Sequence, residues 1–255
     1  MMQQIASYKL STGELELVGA LLFDCGDGRW CSDVASSLIY DRNAKLWRLW
    51  MCTFSHGHAL AYSEASNDLR FGINVIDVTM PSATTDTESF GRIFGDEDPD
   101  LYYDVKSGEW YLAVCRTDPK IKKYRYYLFK SKSPNENFEF VACTEDSIET
   151  TGGSFVRVGD EMYFVFGRSF SETAKYDCYS LPDFEKLGEL KCNYNDGGFR
   201  GWGSVFEIPC GTRKRLLWAT FDRTRGSSYN WSYGNLYFYE SKSYKAVSVN
   251  EVNHI

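Results

Sequence analysis

Three histidines stand among 255 residues, and none of the eight cysteines (Cys25, Cys31, Cys52, Cys115, Cys143, Cys178, Cys192 and Cys210) forms a CxxC pair. A structural zinc site draws its ligands from closely spaced Cys and His, so neither composition nor spacing favours one. Most of the cysteines are tens of residues apart and several lie inside apolar runs, which reads them as small buried hydrophobes, with a Cys25–Cys31 bridge as the lesser alternative. Positive charge is also short: 28 Lys+Arg against 35 Asp+Glu leave a net charge of -7 and a pI near 5.1. That balance argues against nucleic acid as a partner, because the summed field has the wrong sign. The local group Lys120, Lys122, Lys123 and Arg125 reads as a solvated loop. No apolar run approaches the roughly 18 residues of a membrane span, and Met1 to Gly13 lacks the apolar block of a signal peptide. As written the chain carries no address and its thiols suit the cytoplasm, whereas a truncated N-terminus would conceal an export signal for the periplasm or exterior. The absence of a P-loop, of GxGxxG after a strand and of HExxH removes kinase, dinucleotide-binding and metalloprotease readings.

What is abundant is aromatic and apolar sequence, 16% and 43% of residues, enough for one sizeable core and a single domain over 1–255. Helical periodicity is nowhere sustained over the dozen or so residues a helix needs. Instead one pattern recurs: SSLIYDRNAKLWRLWMC from Ser36, PDLYYDVKSGEWYLAVC from Pro99, GSFVRVGDEMYFVFG from Gly153 and SVFEIPCGTRKRLLWATF from Ser204. Each is a β-branched and aromatic run, a polar or glycine turn, and a second such run, the signature of a β-hairpin. Weaker strand pairs lie between the copies: Ala59 to Ser63 with Ile73 to Val78, Tyr126 to Ser131 with Phe138 to Cys143, Tyr176 to Ser180 with Leu187 to Cys192, and Leu236 to Ser241 with Ala246 to Val249. Two hairpins make a four-stranded antiparallel unit, and radial repetition of that unit is a β-propeller; a β-sandwich is the competing arrangement. The predicted fold is all-β, a five-bladed β-propeller of four complete four-stranded blades, near 36–80, 99–146, 153–192 and 204–249, plus a half blade at 5–23. An upstream segment, a partner subunit or a distorted closure would complete the half blade, since open strand edges are seldom tolerated.

The repeat register gathers particular residues at one end of such a propeller. With Leu38, Leu101, Phe155 and Val205 equivalent, the second strands end at Thr53, Arg116, Arg168 and Arg223. Three guanidinium forks at one repeat position suit a carboxylate, sulfate or phosphate on a ligand; the alternative is that each pairs with a local carboxylate such as Asp98 or Asp222. Loops at the same end bring His56, His58 and Trp231, and the fourth strand start brings Trp202; aromatic faces stack on the C–H faces of sugars. Asp98 and Asp100, at the start of the second unit in GDEDPDLYYD, are close enough that one pKa is expected to rise in a dry site. Asp33, and Glu149 ahead of the third unit, are further candidate acids for glycoside chemistry.

These repeats resemble the five-bladed propeller glycoside hydrolases of the family 43 and family 32 type. The likeness spans nearly the whole chain through the form D-P-x-[apolar]-x-x-D followed by Gly and W-Y-L, best matched by Asp98 to Leu112. It implies Asp33 as general base and Asp98 as the acid that tunes pKa and orients substrate. The third position departs: where the family has Glu-Gly or Glu-Ala, this chain has Gly152-Gly153-Ser154, leaving Glu149, His56 or His58 to supply the proton. Asp33 also stands two residues earlier than a strict register with Asp98 requires.

Three functions compete. A glycoside hydrolase acting on an anionic oligo- or polysaccharide uses the carboxylates as acid and base, with Asp100 and the arginines holding substrate. A polysaccharide lyase neutralises a uronate carboxylate with Arg and removes the adjacent proton with His or Tyr. A non-catalytic carbohydrate-binding propeller accounts for the absent Glu. No cofactor is implied, and a structural Ca2+ is left open.

Overall fold

A computed structural model describes residues 3–24, 33–53, 59–77, 96–118, 123–145, 152–167, 175–191, 199–222 and 235–242. Every element among them is a β-strand, as aromatic and β-branched runs separated by turn residues dictate. They gather into two compact units, Met1–Arg116 with Phe129–Phe140, and Thr117–Leu128 with Val141–Ile255.

The first unit opens with the hairpin β1 (Gln3–Lys9) and β2 (Glu14–Asp24). Its turn closes through the Gly13 amide, which donates to Lys9 O at 2.8 Å from a left-handed φ of 72° that glycine adopts without strain. The first repeat hairpin is β3 (Asp33–Asp41) and β4 (Leu46–Thr53), and β5 (Ala59–Ala65) extends it in the order β3-β4-β5. The second is β7 (Glu97–Asp104) and β8 (Glu109–Asp118). Both hairpins use the same turn chemistry. Asp41 Oδ1 accepts from the amides of Asn43 (2.9 Å) and Ala44 (3.0 Å), and Asp104 accepts from those of Lys106 (3.1 Å) and Ser107 (3.0 Å). An aspartate folding back on its own backbone mimics a turn residue and fixes the hairpin length.

β6 (Gly72–Asp77) departs from the expected pairing of Ile73 to Val78 with Ala59 to Ser63. It runs parallel to β2, giving a sheet β1-β2-β6. The loop before it explains the change. Asn74 donates its side-chain amide to the carbonyls of Leu69 (3.2 Å) and Phe71 (3.1 Å), and Leu69 is wholly buried, so the chain is drawn off the edge of β5. Gly19 lies opposite Gly72 in the new pairing, and a Cβ on Gly19 would stand 2.8 Å from Gly72 O; only glycine permits so close a backbone approach. The expected half blade is thereby a three-stranded sheet. Leu21, Phe23 and Ile76 from it pack with Leu49, Met51, Ala61 and Leu69 in one apolar core, each large side chain contributing about 1.5–3 kcal/mol on burial.

β9 (Lys123–Ser131) and β10 (Glu139–Cys143) complete a four-stranded sheet in the order β10-β9-β8-β7, matching the predicted second unit. The third is likewise four-stranded, β11 (Gly153–Val158), β12 (Glu161–Gly167), β13 (Lys175–Ser180) and β14 (Lys186–Lys191). The fourth shows β15 (Phe199–Cys210), β16 (Arg213–Asp222) and β17 (Asn235–Glu240) in that order; the strand expected at 246–249 lies outside the described residues. In the second compact unit Val156, Val165, Tyr176, Val205 and Trp218 form a core joining the third and fourth sheets. Gly159 N donates to Glu207 Oε2 at 2.9 Å across the same junction.

Candidate functional site

The strand starts expected to gather ligand-binding groups share a backbone irregularity. In β3–β4 the register shifts between Val34 and Ser37, in β7–β8 between Glu97 and Asp100, and in β15–β16 between Arg200 and Gly203. These are β-bulges, which bend a strand and re-aim its side chains and are enriched beside active sites. Asp98 and Trp202 lie inside two of them. The pairing of β11 with β12 runs from Gly153 without a shift.

The second hairpin gives the site its detail. Asp98 is buried at 9% exposure and has φ of 49°, in the left-handed region that a non-glycine residue occupies at a cost. Pro99 follows it. Simple strand alternation, which would put Asp98 and Asp100 on one side, is interrupted here by the bulge. Asp100 bonds instead to the neighbouring hairpin, where its Oδ1 accepts from Ser37 Oγ at 2.7 Å, and the same Ser37 oxygen accepts from Leu101 N at 2.9 Å. Asp100 thus fastens the second hairpin to the first.

Arg116 pairs with Asp96, two residues upstream of the carboxylate expected to meet it. Its Nε donates to Asp96 Oδ1 at 2.6 Å and its Nη2 to Asp96 Oδ2 at 2.8 Å, with Asp96 at 0% exposure and Arg116 at 6%. Phe129 supplies a ring face 5.5 Å from the guanidinium carbon, a favourable place for a cation. The pair neutralises itself inside the protein. Asp96 was not singled out by its sequence, although its place in GDEDPD, opposite an arginine in the repeat, held the signal.

Strand pairing gives the register of the acids and revises that of the arginines. Val34 faces Cys52 and Glu97 faces Cys115, so Asp33 is equivalent to Asp96, two residues short of Asp98 as the sequence register has it. Opposite Asp33 stands Thr53, where the second hairpin has Arg116. In the fourth hairpin Val205 pairs with Trp218 as Leu101 pairs with Leu112 in the second, so four residues on Asp222, and not Arg223, occupies the position of Arg116. The two buried thiols Cys52 and Cys115 are also equivalent. Cys52 Sγ donates to Asp96 O at 3.8 Å. The Cys115 thiol is pushed up, first by burial and then by the neighbouring charges of Asp98, Glu97 and Asp96, so it stays protonated and unreactive at neutral pH.

The two glycines ahead of the third hairpin have a local reason. Gly152 has φ of 84°, and a Cβ on Gly153 would stand 2.3 Å from Phe164 Cζ and 3.0 Å from Tyr126 Cζ. Tyr126 and Phe164 are wholly buried and pack edge to face at 4.8 Å, and the Tyr126 hydroxyl accepts from Gly153 N. Rings fill the space that a side chain at 153 would enter.

Asp33 and Trp202 are placed by backbone alone. Glu149, His56, His58, Arg168, Arg223 and Trp231 lie outside the described residues, as do Cys25 and Cys31. Among the described residues no group of three His, Cys, Asp or Glu has the arrangement of a metal site, and no helix is long and apolar enough to cross a membrane.

No family model matches the sequence, and no curated protein matches it. Solved structures do. An exo-β-1,3-galactanase from Phanerochaete chrysosporium with galactose superposes with a TM-score of 0.57 at 8% identity, over 95% of this chain and 54% of that one. A family 43 endo-arabinanase from Bacillus licheniformis gives 0.54 at 12% identity, over 83% and 74%. A further family 43 protein of that bacterium gives 0.54 at 13% identity, over 81% of this chain and only 39% of its own length. The chain therefore spans between two fifths and three quarters of these relatives. At such identities the likeness is one of fold: the all-β architecture is that of the family 43 glycoside hydrolases.

Proposed function

We propose that the chain is a glycoside hydrolase on a five-bladed β-propeller, cleaving an oligo- or polysaccharide by carboxylate acid and base catalysis. The observation that carries this reading is Asp98: a buried carboxylate held in a left-handed conformation on a β-bulge, before Pro99, in a chain whose fold is shared with family 43 enzymes. Residues in this conformation cluster at active sites, and here, unlike at Lys45, Asn137 and Phe184, it falls on a buried carboxylate. Asp33 serves as base, removing a proton from the water whose oxygen bonds to the anomeric carbon, while an acid protonates the departing glycosidic oxygen. Glu149, three residues before the two glycines, is the candidate acid. Asp98 orients the sugar and tunes the acid. A preference for an anionic glycan rests on Arg168, because Arg116 is committed to Asp96 and Asp222 holds the repeat position expected for Arg223.

A second reading, a non-catalytic carbohydrate-binding propeller, is favoured by one observation. The chain carries Gly152-Gly153 where the resemblance implies an acid, and Phe164 and Tyr126 fill the space beside Gly153. Incubation with neutral and acidic oligosaccharides, read by mass spectrometry, separates the two. Hydrolysis adds one water to the summed mass of the products, and Asp98→Asn is expected to fold normally and lower turnover by on the order of a hundredfold or more. Glycan binding with no product in any incubation would establish the second reading.

A further inference from the structure

Building on the role given to Asp98, we infer that Ser37 and Arg116 are positioning residues that hold its backbone in the left-handed conformation from either side. A non-glycine residue at φ of 49° relaxes unless its neighbours over-determine it. Both flanks of Asp98 are pinned. Two residues upstream, Asp96 is held at its carboxylate by both nitrogens of the Arg116 fork and at its carbonyl by Cys52 Sγ. Two residues downstream, Asp100 is held by the Ser37 hydroxyl, which also receives the amide of Leu101. Between these anchors lie only Glu97, Asp98 and Pro99, and the proline ring fixes its own φ. The register shift between Glu97 and Asp100 absorbs the extra residue within that span.

Ser37 is the more informative of the two. It belongs to β3, 63 residues away in sequence, and is itself buried at the junction of two hairpins. Its single oxygen donates one hydrogen bond and accepts another, so the conformation of Asp98 is set by the neighbouring hairpin as well as by its own. Asp100 transmits the position of β3 to the bulge. Neither Ser37 nor Arg116 needs to touch substrate for this role.

The test compares Ser37→Ala, Ser37→Thr, Arg116→Lys and Asp98→Asn with the wild type. Crystal structures of the variants give the backbone of residue 98, and turnover is followed with 4-nitrophenyl α-L-arabinofuranoside and 4-nitrophenyl β-D-galactoside. Ser37→Ala is expected to melt cooperatively, to release Asp98 from positive φ, and to lower kcat on the order of tenfold or more with KM held within about twofold. Ser37→Thr, which keeps the hydroxyl, is expected to restore both. Asp98 retaining positive φ in both Ser37→Ala and Arg116→Lys would overturn the inference, whether or not either glycoside is cleaved. Asp98→Asn turning over as fast as the wild type removes the catalytic reading instead, and leaves the backbone measurement to decide the positioning role.

Discussion

Arg116 closes a two-point fork on Asp96, Nε to Oδ1 at 2.6 Å and Nη2 to Oδ2 at 2.8 Å, with neither residue more than 6% exposed. Such a pair gains its strength from geometry, and its removal is asymmetric: taking away one partner strands a buried charge. Arg116→Met is expected to cost about 3–5 kcal/mol in denaturant unfolding, and the double variant Arg116→Met, Asp96→Leu to recover much of that loss. Strict additivity of the two single variants would mean that the charges are not coupled and that Arg116 is available to a ligand after all.

Gly153 lies against Phe164 Cζ and Tyr126 Cζ, which a Cβ would approach to 2.3 and 3.0 Å. Both rings are wholly buried and interlock further with Phe155, Phe166 and Phe184, so neither moves aside alone. Gly153→Ala is expected to destabilise by about 1–3 kcal/mol through overpacking, and Gly153→Glu by more. Thermal melting measures both. An unchanged melting temperature in Gly153→Ala would show that the rings yield and do not require glycine at 153.

The hairpins were legible because their information is local: alternating apolar runs and an aspartate turn such as Asp41 to Lys45 need no distant contact to be recognised. The strand pair β2–β6 was not, because the sequence between Ala59 and Asp77 allows two partners and the choice is made by Asn74, Leu69 and the facing glycines 19 and 72. Asp98 was singled out from DPD, but counting by twos fails at a bulge. β3 and β7 carry the same one-residue bulge, so Asp33 keeps register with Asp96 and Ser37 with Asp100. The arginine repeat is visible at Arg116, but GDEDPD offers it Asp96, Asp98 and Asp100, and only strand pairing chooses Asp96. At the fourth hairpin Val205 pairs with Trp218, which puts Asp222 and not Arg223 four residues on.

Arg48, itself buried, organises a second ionic group, on β3, β4 and β5. Its guanidinium bonds Asp41 Oδ2 through Nε at 2.8 Å and Tyr62 Oη through Nη1 at 2.7 Å, also pairs with Glu64, and lies 5.3 Å from the Trp110 ring. The Tyr62 hydroxyl donates to Glu64 Oε1 at 2.5 Å. Burial, first, and the bond to Glu64 push the Tyr62 phenol well above its ordinary value of 10.0, outweighing the opposite pull of Arg48. The folded protein therefore keeps this proton where the unfolded chain releases it. By linkage, the contribution is intact below pH 10 and declines as pH rises from there toward the folded value, at no more than about 1.4 kcal/mol per pH unit. Tyr62→Phe is expected to lose about 1.5–3 kcal/mol near neutrality, the range for a hydrogen bond to a charged group. Its deficit relative to the wild type is expected to shrink between pH 10 and 11, because only the wild type must hold that proton. Urea unfolding at pH 7, 10 and 11 reads the convergence; a deficit that stays constant across the three would mean that the Tyr62 proton is not bound more tightly in the folded protein.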